Sequence, residues 1–293
     1  TDASLIRIYF RYICVQNRSM YTEYQPSHLL VPYIDSYWEF KGNPDYGMRI
    51  HILPDGCTDF IFTLGEVANA VEEGSLIMQP YRSYFVGPMT KYSELVTYTE
   101  SIHMFGVRFL PCGLSCFTNL PLHEFVNSRV STNEMKAVFD DTFIEKLGEQ
   151  KHVTDRIRVV EEYLLAYLAR HYQPADSHVA MAVNMINHSK GKRSVRSLMD
   201  DVCLCQRHFE RKFKHYTGFT PKEYSRIVKF KNAVELLRTT TSANLLTTAV
   251  DAGYYDLAHF SKEIKSMSGN TPASFLSLTV PEETTLTYIE PQR

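Results

Sequence analysis

The chain has 293 residues, 44% of them hydrophobic, which is enough for two domains that each bury a core. The net charge of -2 conceals an asymmetry: residues 178–279 contain 15 Lys and Arg against 8 Asp and Glu, whereas residues 1–177 contain 15 against 22. A basic module joined to an acidic one indicates that only the C-terminal part faces a polyanion. The six cysteines show no spacing typical of a disulfide framework, so we expect a reducing, cytoplasmic location.

The apolar stretch SLIRIYFRYICV near the N-terminus is interrupted by Arg7 and Arg11, and no small-residue cleavage site follows it. We therefore expect neither a signal peptide nor a membrane span. Met20 begins a segment whose pattern is typical of a domain start. On this basis we interpret residues 1–19 as an extension that precedes the first domain.

Short strand-like runs separated by Gly and Pro follow, among them MRIHIL, CTDFIFTLG, RSYFVGP, ELVTYTE and HMFGVRFLPCG. This spacing predicts a β-rich domain over residues 20–150, in the form of a small sandwich or barrel. From Val153 the hydrophobic period becomes helical, and Pro174 ends it. The sequence therefore predicts a helical connector over 151–177, in which Asp176 or Ser177 caps the following helix.

The stretch CLCQRHFERKFKHY, residues 203–216, supports two incompatible hypotheses. Its Arg and Lys residues suit a surface that binds phosphate, whereas its thiols and imidazoles suit a metal site. The candidate metal ligands are Cys203, Cys205, His208 and His215.

An internal repeat decides between them, because residues 207–224 align with residues 258–275 at an offset of 51. The identical pairs are His208/His259, Phe209/Phe260, Lys214/Lys265, Gly218/Gly269, Thr220/Thr271 and Pro221/Pro272. The cysteines do not recur: Cys203 aligns with Tyr254 and Cys205 with Asp256. We therefore expect a repeated structural unit with a basic surface and no metal site.

Each repeat contains an amphipathic helix. At about 100° per residue, its aromatic and aliphatic side chains fall on one face and its basic side chains on the other. A short helical pattern and a tight turn precede each helix; in the second repeat, Gly253 permits a left-handed turn and Asp256 is a good N-cap. Helix, turn and basic amphipathic helix form the helix-turn-helix arrangement, whose second helix enters the major groove of DNA.

Residues 178–279 resemble the DNA-binding domain of AraC/XylS-type transcriptional regulators. The second repeat, AVDAGYYDLAHFSKEIKSMSGNTPASF, follows the family pattern A-x-x-x-G-[FY]-x-[DS]-x-x-x-F-x-[RK]-x-[FI]-K-x-x-x-G-x-[TS]-P almost throughout. The first repeat matches more loosely: Met199 replaces a small Ala, and Cys205 stands where Ser normally caps the recognition helix. In the linking helix, Lys229 replaces the usual Arg.

The resemblance implies an α+β protein of two domains, with an all-α C-terminal domain of two helix-turn-helix units joined by a long helix. That helix is expected over about 222–238, a length of roughly 25 Å, which would place two recognition helices in successive major grooves. The resemblance assigns DNA contacts to Arg207, Glu210, Arg211, Lys214, Leu257, Ala258, His259, Lys262 and Lys265.

Residue chemistry distinguishes the two recognition helices. Arg207 and Arg211 can pair bidentately with guanine, and Glu210 can accept from the cytosine amino group. Leu257 and Ala258 offer only apolar contact, so the second helix is expected to recognise sequence less strictly. The alternative interpretation is that these residues are ordinary solvated side chains on an exposed face.

The motifs LVPYIDSYWEF, LPDGCTDFIF, FVGP and GVRFLPCG resemble an uncharacterised β-rich domain that precedes AraC-type domains in some bacterial regulators, over roughly residues 22–145. The match departs from the expected RFxPGG at Cys112. The resemblance implies a sensing or regulatory role, a cupin-like sheet and a small-molecule effector whose binding residues are unknown.

Two sets of residues in this domain are of types that can bind metal. One is Cys112, Cys116 and His123, and the other is His51, Asp55 and Cys57. Neither has a zinc-site spacing, and thiols in apolar segments are usually core residues, so we predict no metal and no cofactor.

A small-molecule pocket is a further hypothesis for this domain. His51, Tyr84 and Arg108 could line it, or they could face the core or solvent, since side chains alternate along a strand. Trp38 is predicted to be a core residue rather than a ligand platform.

The connector carries an apolar stripe of Ile157, Val160, Leu164 and Leu168. Two interpretations stay open: the stripe forms the seam of a homodimer, or it packs on its own domain.

Two function classes compete. The preferred hypothesis is a sequence-specific transcriptional regulator, not an enzyme, whose partners are double-stranded DNA, an effector and RNA polymerase. The alternative is a DNA-repair or alkyl-transfer protein with an AraC-type module, which needs an activated thiolate, typically in Pro-Cys-His, or four zinc-held cysteines. The motif PCG at 111–113 lacks the His, which disfavours the alternative. Residues 280–293 are interpreted as a tail.

Overall fold

The computed structural model describes most of the chain. The described residues are 20–72, 74–135, 138–139, 141–171, 173–202, 204–239, 245–277 and 287–289. The predicted extension 1–19 and Cys203 lie outside them.

The N-terminal domain, residues 20–171, is built on antiparallel strands. They are β1 (Tyr21–Tyr24), β2 (Ile34–Gly42), β3 (Met48–Ile52), β4 (Thr58–Thr63), β5 (Asn69–Ala70), β6 (Ser83–Val86), β7 (Ser93–Thr97), β8 (Ile102–Phe109) and β9 (Arg129–Ser131), with β10 (Thr287–Ile289) added from the C-terminus. One sheet has the order β1-β2-β8-β4-β6-β9, and the other has the order β10-β3-β7-β5. The predicted β-rich domain is confirmed.

The six-stranded sheet is buried on both faces. In β4, Phe60 and Phe62 enter one hydrophobic cluster, and Ile61 between them enters another, because neighbouring side chains of a strand point to opposite faces. The cluster of Ile61 also contains Ile50 of β3 and Leu95 of β7, so it lies between the two sheets. The sheet pair is therefore a sandwich with its own core.

Trp38 of β2 belongs to the core between the sheets, as predicted. Its ring lies over Gly106 of β8, where a Cβ would come within 1.9 Å of the indole. Only glycine leaves room for the ring there. The indole Nε1 donates to Asp59 Oδ1 at 2.7 Å, so the polar edge of this buried ring is satisfied.

Two helices, α1 (Asp141–Gly148) and α2 (Val153–His171), cover the other face of the six-stranded sheet. Val160 and Leu164 of α2 are fully buried in the aromatic core there, and Ile157 and Leu168 pack against it. Burial of each such side chain stabilises the domain by roughly 1.5–3 kcal/mol. Of the two interpretations of this stripe, the structure therefore shows packing on its own domain.

The C-terminal domain, residues 177–277, is helical. Its helices are α3 (Ser177–His188), α4 (Val195–Val202), α5 (Gln206–Thr217), α6 (Pro221–Thr239), α7 (Leu245–Asp251), α8 (Leu257–Ser268) and α9 (Pro272–Ser277). Asp176 caps α3 as predicted, accepting hydrogen bonds from the backbone N–H groups of His178 and Val179. A β-rich N-terminal domain followed by an all-α domain confirms the predicted α+β fold class.

The C-terminal residues return to the N-terminal domain. Strand β10 pairs antiparallel with β3 and places Tyr288 opposite His51 in the register. The segment predicted to be a tail thus covers the edge of the smaller sheet, where β3 would otherwise present unpaired backbone groups.

Within the described ranges, no helix has both the length and the apolar character needed to cross a membrane.

Candidate nucleic-acid interface

The first unit consists of α4, a tight turn and α5. Cys205 occupies the N-cap position of α5, and its side chain makes no capping hydrogen bond. Helix α5 ends at Gly218, whose φ of 83° lies in the left-handed region and whose N–H donates to the Lys214 carbonyl at 2.9 Å. Helix α5 therefore has a well-formed C-terminal cap but lacks a side-chain hydrogen bond at its N-cap.

Helix α5 separates its residues as predicted. Phe209 and Phe213 are fully buried, with ring centroids 5.6 Å apart in an edge-on arrangement. The predicted DNA contacts on the opposite face are open to solvent: Arg207, Arg211 and Lys214 are exposed. Glu210 is half-buried and accepts a hydrogen bond from Gln206 Nε2 at 3.0 Å.

The second unit consists of α7, a turn and α8. Gly253 in the turn has a φ of 87°, and Asp256 caps α8 by accepting from the His259 N–H at 2.7 Å, so both sequence predictions are confirmed. The inner face buries Phe260, Ile264 and Met267. The predicted contacts on the outer face are exposed: Leu257, Ala258, His259, Lys262 and Lys265.

Helix α6 holds the two units together. It has 19 residues and spans about 28 Å, close to the predicted linking helix. Its buried residues Phe230, Ala233 and Val234 belong to one hydrophobic cluster that also contains Phe209 of α5 and Phe260 of α8. Because both recognition helices pack into a single core, their relative position is set by the fold and not by a flexible linker.

Polar contacts add to this core on the side of the second unit. Arg226 of α6 pairs with Glu263 of α8 through two donors, at 2.9 and 3.0 Å. Lys229, the residue that replaces the usual Arg, donates to the Gly253 carbonyl at 3.2 Å and lies 5.6 Å from the centre of the Tyr254 ring. Lys229 therefore binds the turn of the second unit to α6.

Two family profiles match the chain. One is described as a helix-turn-helix domain and covers residues 198–277; the other is a domain of unknown function (DUF6597) and covers residues 22–131. The helix-turn-helix match coincides with the two units just described. The C-terminal part of the chain is an AraC-type helix-turn-helix domain.

Several solved structures are similar to parts or most of this chain. ToxT from Vibrio cholerae is 9% identical over 84% of this chain and 100% of its own, with a TM-score of 0.49. ToxT bound to an unsaturated fatty acid is 11% identical over 86% and 99%, with a TM-score of 0.48. A probable AraC family regulator from Rhodopseudomonas palustris is 20% identical over 36% and 100%, with a TM-score of 0.33. No curated protein matches the chain.

The N-terminal domain contacts the first unit of the AraC-type domain closely. A Cβ on Gly218 would lie 2.5 Å from Pro88 Cγ and 3.2 Å from the Leu122 carbonyl oxygen. Nearby, the rings of His215 and His123 are 6.4 Å apart. Burial lowers the pKa of His215, and the neighbouring His123 lowers it further. The C-terminal end of α5 is thus docked on the N-terminal domain.

A second contact to α5 starts in the interdomain segment. Lys212 Nζ lies 2.5 Å from Asp176 Oδ2, the same carboxylate that caps α3. Burial favours the protonated form of Asp176, but the hydrogen bonds from Lys212 and from the Val179 N–H outweigh it and lower its pKa. Asp176 therefore ties α3 and α5 together as an ionised group.

Gly269 of the second unit lies against the N-terminal domain. A Cβ on Gly269, at the end of α8, would lie 2.8 Å from the Tyr92 ring. Tyr92 in turn stacks on His51 of β3, with ring centroids 6.0 Å apart. Sequence reasoning missed these dockings, because nothing in the local pattern links Pro88 or Tyr92 to glycines far along the chain.

The predicted pocket of His51, Tyr84 and Arg108 is not formed as proposed. Tyr84 is buried and its hydroxyl accepts from the Gln79 N–H at 2.7 Å, and His51 is buried beside Tyr92. Of the three, Arg108 alone lines the cleft between the two domains. The sheet places these residues in different surroundings, so alternation within a strand could not predict a shared pocket.

Arg108 is held by carboxylates. Its Nε lies 3.2 Å from Asp59 Oδ1 and 3.7 Å from Asp55 Oδ2, and its Nη1 lies 3.7 Å from Glu23 Oε1. Burial by itself would lower the pKa of Arg108, but these carboxylates outweigh burial and raise it. One largely buried guanidinium therefore lies near three carboxylates, and burial raises the pKa of one of them, Asp59.

The structure separates the residues once considered as metal ligands. Cys205 is exposed at the helix cap, while His215 lies at the domain contact. In the part of the chain that the structure describes, no group of three or more His, Cys, Asp and Glu side chains is arranged to hold a metal ion.

Proposed function

We propose that the protein is a sequence-specific DNA-binding transcriptional regulator that inserts α5 and α8 into successive major grooves. The observation that carries this proposal is the pair of amphipathic helices packed on one core around α6, each with an exposed basic face. Such a face suits the phosphate-flanked major groove, where basic side chains both neutralise the backbone and recognise base edges.

The first recognition helix supplies most of the base discrimination. Arg207 and Arg211 are exposed and carry planar guanidinium groups that pair bidentately with guanine O6 and N7. Glu210, oriented by Gln206, can accept from a cytosine amino group. Lys214, two turns from the start of α5, is assigned to the DNA backbone.

The second recognition helix recognises DNA more permissively. Leu257 and Ala258 can contact a thymine methyl group, and His259 can donate or accept at a base edge. Lys262 and Lys265 are exposed on the same helix and are assigned to phosphates. The second unit therefore contributes affinity that depends little on sequence.

The N-terminal domain is the regulatory part of this proposal, because it docks on α5 through Pro88 and on α8 through Tyr92. A change in that domain would move or release a recognition helix, as an effector response requires. RNA polymerase remains a predicted partner. Homodimerisation through α2 is not supported by the packing, because Val160 and Leu164 are buried in their own core.

The alternative of alkyl transfer is disfavoured by the described thiols of the N-terminal domain. Burial raises the pKa of Cys57, Cys112 and Cys116. An alkyl acceptor needs the opposite, a thiolate with a lowered pKa in an exposed, electropositive place.

The test is a double substitution in α5. Binding sites are first selected from a random duplex library by the wild-type protein, and affinities are then measured by gel shift. Arg207→Ala with Arg211→Ala should weaken binding to the selected sites by about 100-fold or more, since each bidentate pair is worth about 1–3 kcal/mol.

The control removes the same charge elsewhere. Lys151 and Arg158 are exposed on the N-terminal domain, and changing both to Ala should leave binding unaltered. An unchanged footprint for the α5 variant, with the fold intact by circular dichroism, would overturn the assignment.

A further inference from the structure

A pocket of about 350 Å³ lies in the N-terminal domain beside β9. Its walls come from β9, the end of β6 and the start of β7, together with the segments before β6 and between β6 and β7. It shares no lining residue with the cleft between the two domains. We refer to it as the β9 pocket, and its size suits a small metabolite.

Arg129 of β9 contributes a guanidinium with few partners to this pocket. Its Nη2 donates a hydrogen bond to the Ser93 hydroxyl at 2.8 Å, which joins the two sheets at their edge. Its Nε is buried and has no hydrogen-bond partner among the described residues. A guanidinium carries several N–H donors, and the Ser93 hydroxyl is the only acceptor that the described part of the chain supplies to them.

Two carboxylates act on Arg129 from a distance. Glu72 pairs with Lys91 at 2.8 Å and Asp59 pairs with Arg108 at 3.2 Å, and within the described ranges neither carboxylate forms an ion pair with Arg129. Burial lowers the pKa of Arg129, and these two carboxylates raise it but do not outweigh burial. The positive charge of Arg129 is therefore left largely uncompensated inside the domain.

Two other buried arginines of this domain are paired. Arg108 lies near three carboxylates, as described above, and Arg156 donates to Glu39 Oε1 at 3.0 Å and to the Leu147 carbonyl at 3.2 Å. A buried charge without an ion-pair partner is costly, so proteins nearly always provide one. The contrast indicates that the missing partner of Arg129 is an anion from outside the chain.

The wall of the β9 pocket includes part of the segment that docks on the C-terminal domain. We call residues 88–92 the docking segment. Pro88 lies against Gly218 at the end of α5, and Tyr92 lies against Gly269 at the end of α8. Tyr92 also lines the pocket. One segment therefore contacts both recognition helices on one side and the pocket on the other.

Hydrogen bonds connect the docking segment to β9. The Asn127 N–H donates to the Pro88 carbonyl at 2.8 Å, and Asn127 Oδ1 accepts from the Thr90 N–H at 2.8 Å. Ser93, which directly follows the segment, accepts from Arg129. A movement of Arg129 is therefore passed to the docking segment at both of its ends.

We propose that the β9 pocket binds a small oxyanion, a carboxylate or a phosphate, between the guanidinium of Arg129 and the hydroxyl of Ser93. The planar N–H fork of a guanidinium matches the oxygens of either group. The Ser93 hydroxyl accepts from Arg129 and keeps its own hydrogen for the ligand. Because Glu72 and Lys91 neutralise each other, the ligand meets the net charge of Arg129. The bound anion fixes Arg129 and, with it, the docking segment.

Control of DNA binding by this anion rests on the proposed function, whereas the binding of the anion does not. Anion binding is therefore measured on the full chain without DNA. Its loss tests the pocket alone, and the double variant in α5 tests DNA recognition alone.

The first experiment follows thermal melting of the full chain at constant ionic strength with increasing inorganic phosphate, glycerol phosphate, acetate or succinate. The melting temperature should rise with at least one of these anions and saturate, by roughly 5 °C at about a hundredfold excess over the dissociation constant. A response to the phosphates alone identifies a phosphate ligand, and a response to the carboxylates alone identifies a carboxylate. No response to any of these anions would overturn the proposal.

Matched variants separate a site from a general effect of anions. Arg129→Met should abolish the response, and Arg82→Met, which removes the same group at an exposed position outside the pocket, should retain it. Ser93→Ala leaves the buried charge in place and should weaken the response, whereas the exposed Ser101→Ala should not. Equal responses in Arg129→Met and Arg82→Met would show an adventitious ion only.

The stability of the anion-free protein distinguishes a binding role of Arg129 from a structural one. Arg129→Met removes an unpaired buried charge, so the melting temperature in chloride buffer should stay the same or rise. Arg156→Met removes a guanidinium that is paired with Glu39, and it should lower the melting temperature. A loss in Arg129→Met as large as that in Arg156→Met would show that the guanidinium serves to join the sheets, contrary to the proposal.

The last experiment tests control of DNA binding with the anion that raises the melting temperature most. In gel shifts at constant ionic strength, this anion should change the affinity of the wild-type protein for its selected sites by about fivefold or more. It should leave the affinity of Arg129→Met unaltered. The Arg207→Ala and Arg211→Ala variant should lose site-specific binding and keep the anion-dependent melting shift, so the two proposals fail separately. Equal effects of the anion on wild type and Arg129→Met would refute control through the docking segment.

Discussion

The two helix-turn-helix units share one fold and differ in what holds their recognition helices. Helix α8 is started by the Asp256 cap and touches the N-terminal domain only at Tyr92 among the contacts described above. Helix α5 has no capping side-chain hydrogen bond at Cys205. It is held instead by contacts outside its own unit, from Lys212 to Asp176 and from Gly218 to Pro88. The first unit is thus held partly by residues outside the C-terminal domain, whereas the second is held mainly within that domain, by its own cap and by contacts with α6.

This difference indicates where regulation can act. Helix α5 has a poor N-cap, and its C-terminal end is docked on the N-terminal domain. Small changes in that domain can therefore release this helix or fix it in place. The same helix carries Arg207 and Arg211, the side chains best suited to base discrimination. In the function that we propose, the unit with the stricter base recognition is therefore also the unit docked on the N-terminal domain.

The largest expected effect is on stability, and it should differ between the C-terminal ends of α5 and α8. Gly218→Ala places a methyl group against the Pro88 ring and the Leu122 carbonyl at a φ of 83°, and we expect a loss of about 2–3 kcal/mol in the free energy of unfolding. Gly269→Ala has a similar φ but meets the far end of the Tyr92 side chain, which can turn away, so we expect about 1 kcal/mol. Urea denaturation measures both, and equal losses would remove the distinction between the units.

The second prediction concerns DNA affinity. Lys262→Ala combined with Lys265→Ala should weaken binding by about tenfold on every sequence. The negative slope of log affinity against log salt concentration should become shallower by about two, as expected for the loss of two phosphate contacts. The α5 double variant should instead lose the preference for selected sites. If the double variant of Lys262 and Lys265 also changed base preference, the proposal that the second unit binds DNA with little sequence preference would be wrong.

The third prediction weakens the N-cap of α8 and strengthens the N-cap of α5. Asp256→Ala should cost about 1 kcal/mol, because the His259 N–H loses its acceptor. Cys205→Ser should gain about 0.5–1 kcal/mol by supplying the oxygen that α5 lacks. Thermal melts monitored by circular dichroism test both; no gain in the Ser variant would show that α5 is already held firmly by its docking contacts.

The smallest effect is pH dependence at the docking contact of α5. Because burial and His123 lower the pKa of His215, the folded protein takes up this proton less readily than the unfolded chain does. The free energy of unfolding should therefore fall as pH is lowered from 6.5 towards the lowered pKa of His215. His215→Asn should reduce this slope, and the exposed His152→Asn should not; identical slopes would exclude His215 as the cause.

Local sequence patterns predicted the parts of the structure that local physics decides. The caps at Asp176 and Asp256, the turn at Gly253 and the inward faces of α5 and α8 follow from the order of residues within one helix and its flanks. The departure at Cys112 also has a structural counterpart, since its φ of 67° is one that glycine adopts most easily.

Contacts between distant segments could not be predicted in this way. The docking of Gly218 on Pro88, the pairing of β10 with β3 and the hydrogen bond from Arg129 to Ser93 join residues that no periodicity relates. Whether His51, Tyr84 and Arg108 line a pocket or face the core could not be decided from the sequence for the same reason, because burial in a sandwich depends on which strands pair. The cleft arises only when both domains are in place.

The central claim is that two rigidly joined recognition helices contact one face of DNA together. Selection from a random duplex library followed by hydroxyl-radical footprinting tests it directly. We predict two protected segments on one face, about one helical turn of 10 base pairs apart, with the stricter base preference in the segment that loses protection in the Arg207→Ala and Arg211→Ala variant. A single protected segment, or two segments that both survive this substitution, would contradict the account.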